Sequence, residues 1–241
     1  MADMAASVLA KLKNKTKSSG ISYQQCLQLF FQEEFLRRLA GSKYAENFVL
    51  KGGLFIYTLT NFESRATVDV DFLMRGLNND LARMDEIIAE ILAVDTGNDF
   101  VTFKAGKTEP IAVQRKYHGV STQITGYIKN VRVPFNVDIG VGDVIVPSAE
   151  HRNIQTQLEG YDKPEILTYS LESTIAEKFD AILQRFELTG RMKDFYDIYY
   201  LSRSFDFDGL KLQTAIQETL QNRGTAYEKD SFARVLALAE D

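Results

Sequence analysis

Two aspartates two residues apart, Asp69 and Asp71 in Thr67-Val-Asp-Val-Asp-Phe72, are the side chains of this sequence best placed to do chemistry. The stretch alternates and is rich in β-formers, so it reads as a strand over residues 67–74. Strand side chains two apart leave by the same face. Asp69 and Asp71 should therefore project together while Val68, Val70 and Phe72 turn to the core. Carboxylates at that spacing repel one another unless a cation lies between them. A divalent ion relieves the repulsion and can also bridge the phosphates of a nucleotide. Asp138, alternating with the apolar Phe135, Val137 and Ile139, is the natural third acid. A third carboxylate would complete a two-metal site, with ions about 3.5–4 Å apart. Asp143 follows Gly142 and is a weaker competitor, read as loop.

Spacing alone does not make a site. Asp206-Phe-Asp208 has the same pattern, yet it falls between helical stretches and reads as turn and capping chemistry. Asp69 and Asp71 differ in having Leu50-Lys51-Gly52-Gly53 upstream, where a strand ends and a helix opens. Glycines there let backbone N–H groups approach phosphate oxygens, and a helix N-terminus favours negative charge; an ordinary tight turn would use the same residues. Arg65 and Thr67, just before the acids, could orient phosphates or a metal's surroundings, or be plain surface groups. Farther on, Lys178 and Arg185 are seven apart and share a helix face beside an apolar stripe. Two such cations can bind a triphosphate, or can simply snorkel on a solvated flank. Asp194 is spaced to pair with Arg191, or to position Lys178 or a substrate hydroxyl.

The elements that must hold these residues follow from periodicity. Residues 21–40 carry Leu27, Phe30, Phe31, Phe35 and Leu39 at helical spacing, with Ser22 as N-cap and Gly41 as the stop. Phe48-Val-Leu50 reads as a strand, 54–62 as helix-like, 79–93 as a helix, and 100–141 as a run of strands. Pro134 cannot donate to a ladder, so the last of those strands should begin at Phe135 or lie at an edge there. Helical periodicity takes over from residue 170. Strands followed by helices indicate an α+β fold with a C-terminal helical lobe, divided near residues 147–168.

Composition excludes several alternatives. A single cysteine, Cys26, gives no disulfide framework and no zinc cluster, and two histidines, His118 and His151, give no multi-histidine site. Carboxylates are then the plentiful metal ligands, and they favour Mg²⁺ or Mn²⁺. The net charge of −5 argues against a broadly basic surface. Lys11, Lys13, Lys15 and Lys17 would spread around a helix axis and read as a solvated or frayed segment. No stretch is apolar enough for a signal peptide or a bilayer span, so a cytoplasmic protein is expected.

Taken in order, these blocks resemble the AbiEii/AbiGii-type nucleotidyltransferases, toxins of bacterial abortive-infection and toxin–antitoxin systems. The resemblance is carried by Glu34-Phe-Leu-Arg-Arg-Leu39, Phe48-Val-Leu-Lys-Gly-Gly53, Arg65 to Phe72, Phe135 to Asp143, Ala176 to Arg185 and Arg191 to Ile198. It implies a DNA-polymerase-β-like nucleotidyltransferase core with a mixed sheet over residues 1–160 and a helical lobe over 161–241. It also implies an NTP substrate, Mg²⁺ or Mn²⁺ as cofactor, tRNA or another RNA as acceptor, and a cognate antitoxin as partner. By position, Asp69, Asp71 and Asp138 would hold the metal, and Lys178 and Asp194 would join them in catalysis. Lys51, Gly52, Gly53, Arg65, Thr67, Arg185 and Lys193 would bind the nucleotide. A kinase-like phosphotransferase would use the same acids. The other alternative is a catalytically silent nucleotide- or partner-binding member, against which the intact set of Asp69, Asp71 and Asp138 argues.

Overall fold

The computed structural model describes residues 3–111, 119–189 and 192–226. They form two compact units, one of residues 1–142 and 151–168, the other of residues 143–150 and 169–241.

The first unit is built on a seven-stranded mixed sheet in the order β3-β4-β5-β2-β1-β7-β6. Its strands are β1 (Phe48–Lys51), β2 (Val70–Met74), β3 (Thr102–Ile111), β4 (Gly119–Ile128), β5 (Val131–Gly140), β6 (Glu150–Asn153) and β7 (Glu165–Thr168). β2 is the pivot: it runs antiparallel to β1 and parallel to β5. Pro134 lies inside β5, opposite Thr125 of β4. The register with β2 begins only at Val137, so at Pro134 strand β5 has β4 on one side and no ladder from β2 on the other. This is the edge position that a missing N–H tolerates.

Four helices belong to this unit: α1 (Met4–Ser19), α2 (Tyr23–Ala40), α3 (Gly52–Leu59) and α4 (Leu81–Leu92). Helix α2 opens on Ser22 with a capping box to Gln25 and ends at Gly41. Phe30, Phe31 and Phe35 are all but fully buried beneath the sheet. Phe35 meets Phe72 and Phe135 at ring-centroid distances of 6.1 and 6.3 Å, and Phe48 packs edge-on to Phe72 at 5.6 Å. On β4 a side chain at Gly126 would collide with the Phe31 ring, so glycine there lets α2 seat on the strand. The N-terminal lysine segment is not frayed. Ala5, Val8 and Leu12 form a buried stripe that docks α1, Asp3 caps it, and Lys11, Lys13 and Lys17 fall on the solvent side. A three-residue apolar stripe was enough to outweigh the solvation of its charged neighbours.

In the second unit, α5 (Leu171–Thr189), α6 (Met192–Ser204) and α7 (Gly209–Arg223) pack together. The Ser170 hydroxyl caps α5 by accepting from Ser173 N, and it donates to the Val146 carbonyl at 2.5 Å, fastening residues 143–150 to the helices. Arg223 gathers Asp143, Glu177 and Asp180. Burial disfavours its charge, but three carboxylates outweigh that and hold the guanidinium protonated. Asp208 caps α7 by accepting from Leu210 N and Lys211 N, the capping role its loop setting suggests. Cys26 is buried in α2 and His151 lies exposed on β6.

Candidate active site

Three strands bring the candidate residues into one transverse row. Lys51 is the register partner of Asp71, Asp71 of Asp138, and Asp138 of Ser121. Partners across a sheet share a face and lie about 4.8 Å apart, so the row reads Lys51, Asp71, Asp138, Ser121 across β1, β2, β5 and β4. All four are partly exposed, while the apolar residues flanking them along each strand are buried. The alternation that hides Val70, Phe72, Val137 and Ile139 therefore aims both carboxylates at solvent on the same side.

Each member of the row is held. The Ser121 hydroxyl donates to Asp138 Oδ1 at 2.5 Å. A side chain added at Gly140 would sit 3.8 Å from the Lys51 ammonium, which places that cation over β5. Gly52, with φ of 67°, lies against the Asp71 carboxylate, and any side chain there would overlap it. A Cβ at Gly53 would come within 2.8 Å of the Thr67 hydroxyl. The glycine turn is thus packed on the acid-bearing segment, and the reason for glycine is room for Asp71 and Thr67 together with a left-handed backbone.

Asp69 departs from the strand expectation. β2 begins at Val70, so residues 67–69 form the approach to it. Val68 does not face the core but is 60% exposed. The backbone carbonyl of Val68 is turned inward instead, where it accepts from the side-chain amides of Gln28 at 2.5 Å and Gln32 at 2.8 Å, both on α2. Two inward donors to one carbonyl override the in–out alternation, because leaving that oxygen without partners would cost more than exposing a valine. Gln28, Gln32 and Ser121 are the residues that sequence reasoning missed. The glutamines, four apart within an apolar stripe, carried a signal; Ser121 acquires meaning only once β4 is laid beside β5.

In the helical unit Lys178 is buried, and its ammonium lies 3.2 Å from Asp194 and 2.6 Å from Asp197. Of the two readings of Lys178, snorkelling does not hold; Asp194 meets it, as its spacing allowed, and Asp197 joins from the same helix. Lys193 is exposed and Arg65 is half-buried. Asp143 belongs to the Arg223 cluster. The side chain of Arg185, together with Arg191 and His118, lies outside the described residues.

The row suits Mg²⁺ or Mn²⁺ in donor type, since it offers hard carboxylate oxygens beside a turn with no side chain to obstruct them. Among the described residues no group of three or more His, Cys, Asp or Glu side chains is placed to hold a metal ion. A small hard cation that is held by one or two carboxylates and completed by substrate phosphates and water does not need one.

The chain is similar in structure to the nucleotidyltransferase toxin MenT4 from Mycobacterium tuberculosis, with a TM-score of 0.63 and 16% identity over 92% of this chain and 76% of the other. JHP933 from Helicobacter pylori aligns with a TM-score of 0.49 and 15% identity over 91% of this chain and 92% of its own. No curated protein sequence matches significantly. No described helix is long and apolar enough to cross a membrane. The family described as nucleotidyl transferase AbiEii toxin, type IV toxin–antitoxin system, matches residues 34–240, a span that contains the whole acid row, the glycine turn and the lysine of the helical unit. The chain belongs to the AbiEii family of nucleotidyltransferase toxins.

Proposed function

We propose that this enzyme transfers a nucleotidyl group from an NTP to a hydroxyl of an RNA acceptor such as tRNA, using Mg²⁺ or Mn²⁺. The observation that carries the reading is the Lys51–Asp71–Asp138 row with Gly52 packed against Asp71. Asp69, Asp71 and Asp138 would hold the metal, whose chemistry is to neutralise the triphosphate and polarise its α-phosphorus. Lys51 supplies a fixed positive charge beside the acids, and the turn at Gly52-Gly53 opens α3 with its backbone N–H groups toward phosphate oxygens. Asp138, oriented by Ser121, takes the proton as the acceptor oxygen bonds to the α-phosphorus and pyrophosphate leaves. Arg65 and Thr67 would orient phosphates. The family resemblance assigns Lys178, which contacts Asp194 and Asp197, together with Asp194 to catalysis, and Lys193 and Arg185 to nucleotide binding. The family's toxin–antitoxin description also supports a cognate antitoxin as partner, and a cytoplasmic site of action is part of the same proposal.

The test uses α- and γ-labelled NTPs with total RNA and Mg²⁺. Label from the α position should enter RNA, and Asp71→Asn or Asp69→Ala should reduce it by at least about 100-fold while the melting temperature holds. Transfer of γ-label would identify a kinase instead. Nucleotide binding without any product would identify a silent member.

A further inference from the structure

Beyond Asp138 and Ser121, the same face of the sheet continues outward along β3, β4 and β5. The next row toward the β4–β5 hairpin pairs Gln123 with Asn136. The register of β3 shifts between Ala105 and Thr108, so Gly106 and Lys107 stand together opposite Gln123. The following row is Lys104, Thr125 and Pro134, and the last is Thr102, Tyr127 and Arg132. Lys104, Lys107, Gln123, Pro134 and Arg132 are exposed, whereas Ile124, Ile128, Val133 and Phe135 on the opposite side are buried beneath the helices.

Three properties set this face apart. In these three outer rows the charges, Lys104, Lys107 and Arg132, are all positive and no carboxylate occurs, in a chain whose net charge is −5. The acids, Glu109 and Asp138, begin in the Ser121 row. Among the described residues, none of the exposed large hydrophobic side chains lies on it, so it lacks the apolar anchors that a protein partner would need. Its centre is low, with Gly106, Thr125 and Pro134, and is bordered by the side-chain amides of Gln123 and Asn136. Cations for phosphates, amides for base edges and one aromatic at the far end are the chemistry of a single-stranded nucleic acid. Past the bulge at Gly106-Lys107, β3 places Glu109 in the Ser121–Asp138 row, so Lys107 is the last cation before the acids.

We infer that the open face of β3–β4–β5 is the track on which a single nucleic-acid strand lies, ending at Asp138. Asp138 lies six positions after Arg132 on β5, a path of about 20 Å. The assignment of the strand's terminus to Asp138 rests on the nucleotidyl-transfer reading; the binding surface itself does not.

Fluorescence anisotropy of a labelled mixed-sequence oligonucleotide, supplied as RNA and as DNA, with neither NTP nor Mg²⁺, tests the surface. The wild-type protein should bind it saturably, and more weakly as salt rises. Lys104→Glu/Lys107→Glu/Arg132→Glu should lose at least about tenfold in affinity, whereas Lys11→Glu/Lys13→Glu/Lys17→Glu on α1 should match wild type. If the triple reversal does not fold, the single changes Lys104→Gln and Arg132→Gln should each lower the slope of log affinity against log salt by about 0.7. Absence of saturable binding by wild type, or loss of affinity in the α1 variant alone, would overturn the assignment. Tighter binding of RNA than DNA would bring in the 2′-hydroxyl, and equal binding a backbone track; either supports the surface. Asp71→Asn should bind the oligonucleotide like wild type while losing α-label transfer. If it keeps that transfer, the metal assignment fails and the track stands.

Discussion

Gly52 and Asp71 are a pair in which one residue's missing side chain is the other's space. Gly52→Ala would place a methyl group on the Asp71 carboxylate at a backbone angle that alanine resists. The strained conformation costs about 1–3 kcal/mol, and the displaced carboxylate should cost more in turnover than in stability. We expect α-label transfer to fall by about 100-fold while the melting temperature drops by only a few degrees. A variant that melts near wild type and keeps its rate would show that the carboxylate can move aside. At this scale the sequence was informative about the acids and the glycines, since alternation and turn chemistry are local. It placed Asp69 in the strand only because pattern alone cannot see two glutamines pulling the Val68 carbonyl inward.

Helix α2 is more than a greasy support. Gln28 and Gln32 share one acceptor, so either amide alone can satisfy the Val68 carbonyl. Thermal melts should show each single change to alanine costing less than about 1 kcal/mol and the double change about 1–3 kcal/mol, a non-additivity that a double-mutant cycle would read directly. Equal and additive losses would mean that the two amides act independently. One turn farther on, Glu34 accepts from Arg37 Nη1 at 2.9 Å and Asn98 at 2.6 Å, while Glu33 accepts from the Gln157 backbone at 2.7 Å. Arg38 reaches the Leu92 and Val101 carbonyls. The apolar spacing of Leu27, Phe30, Phe31 and Phe35 announces this helix, whereas its polar contacts to other elements reach residues 36 to 131 positions away in sequence, beyond any periodicity. The same limit explains why Ser121 was silent.

For the whole molecule, Glu33 links stability to pH. Burial pushes its carboxyl up to about 8, against the opposing pull of Arg37 and the Gln157 N–H. The folded state therefore holds a proton that the unfolded state releases at an ordinary carboxylate pKa. This group's contribution to stability should be full below about pH 4.5 and should decline as pH rises to about 8. Melting curves of wild type and Glu33→Gln across that range should diverge, the variant gaining relative to wild type as pH rises. Parallel curves would mean that Glu33 is charged throughout. The mixed sheet and the helical unit follow from the order of strand-like and helix-like stretches. The grouping of residues 143–150 with the helices does not, because it is made by Ser170, Ser173 and Arg223 reaching back in sequence.

β1 completes its neighbours only through β7, which the chain supplies at residues 165–168, after it has already passed through residues 143–150. During synthesis, every residue of the acid row has left the ribosome well before the strand that closes β1 on its other side. The nascent chain thus carries an open edge at β1 while its acids are already present, and the sheet gains its full width only after residue 168 emerges. For a nucleotidyltransferase toxin this sets an order of events. Completion of the catalytic sheet waits on translation of the segment that leads directly into the helical unit.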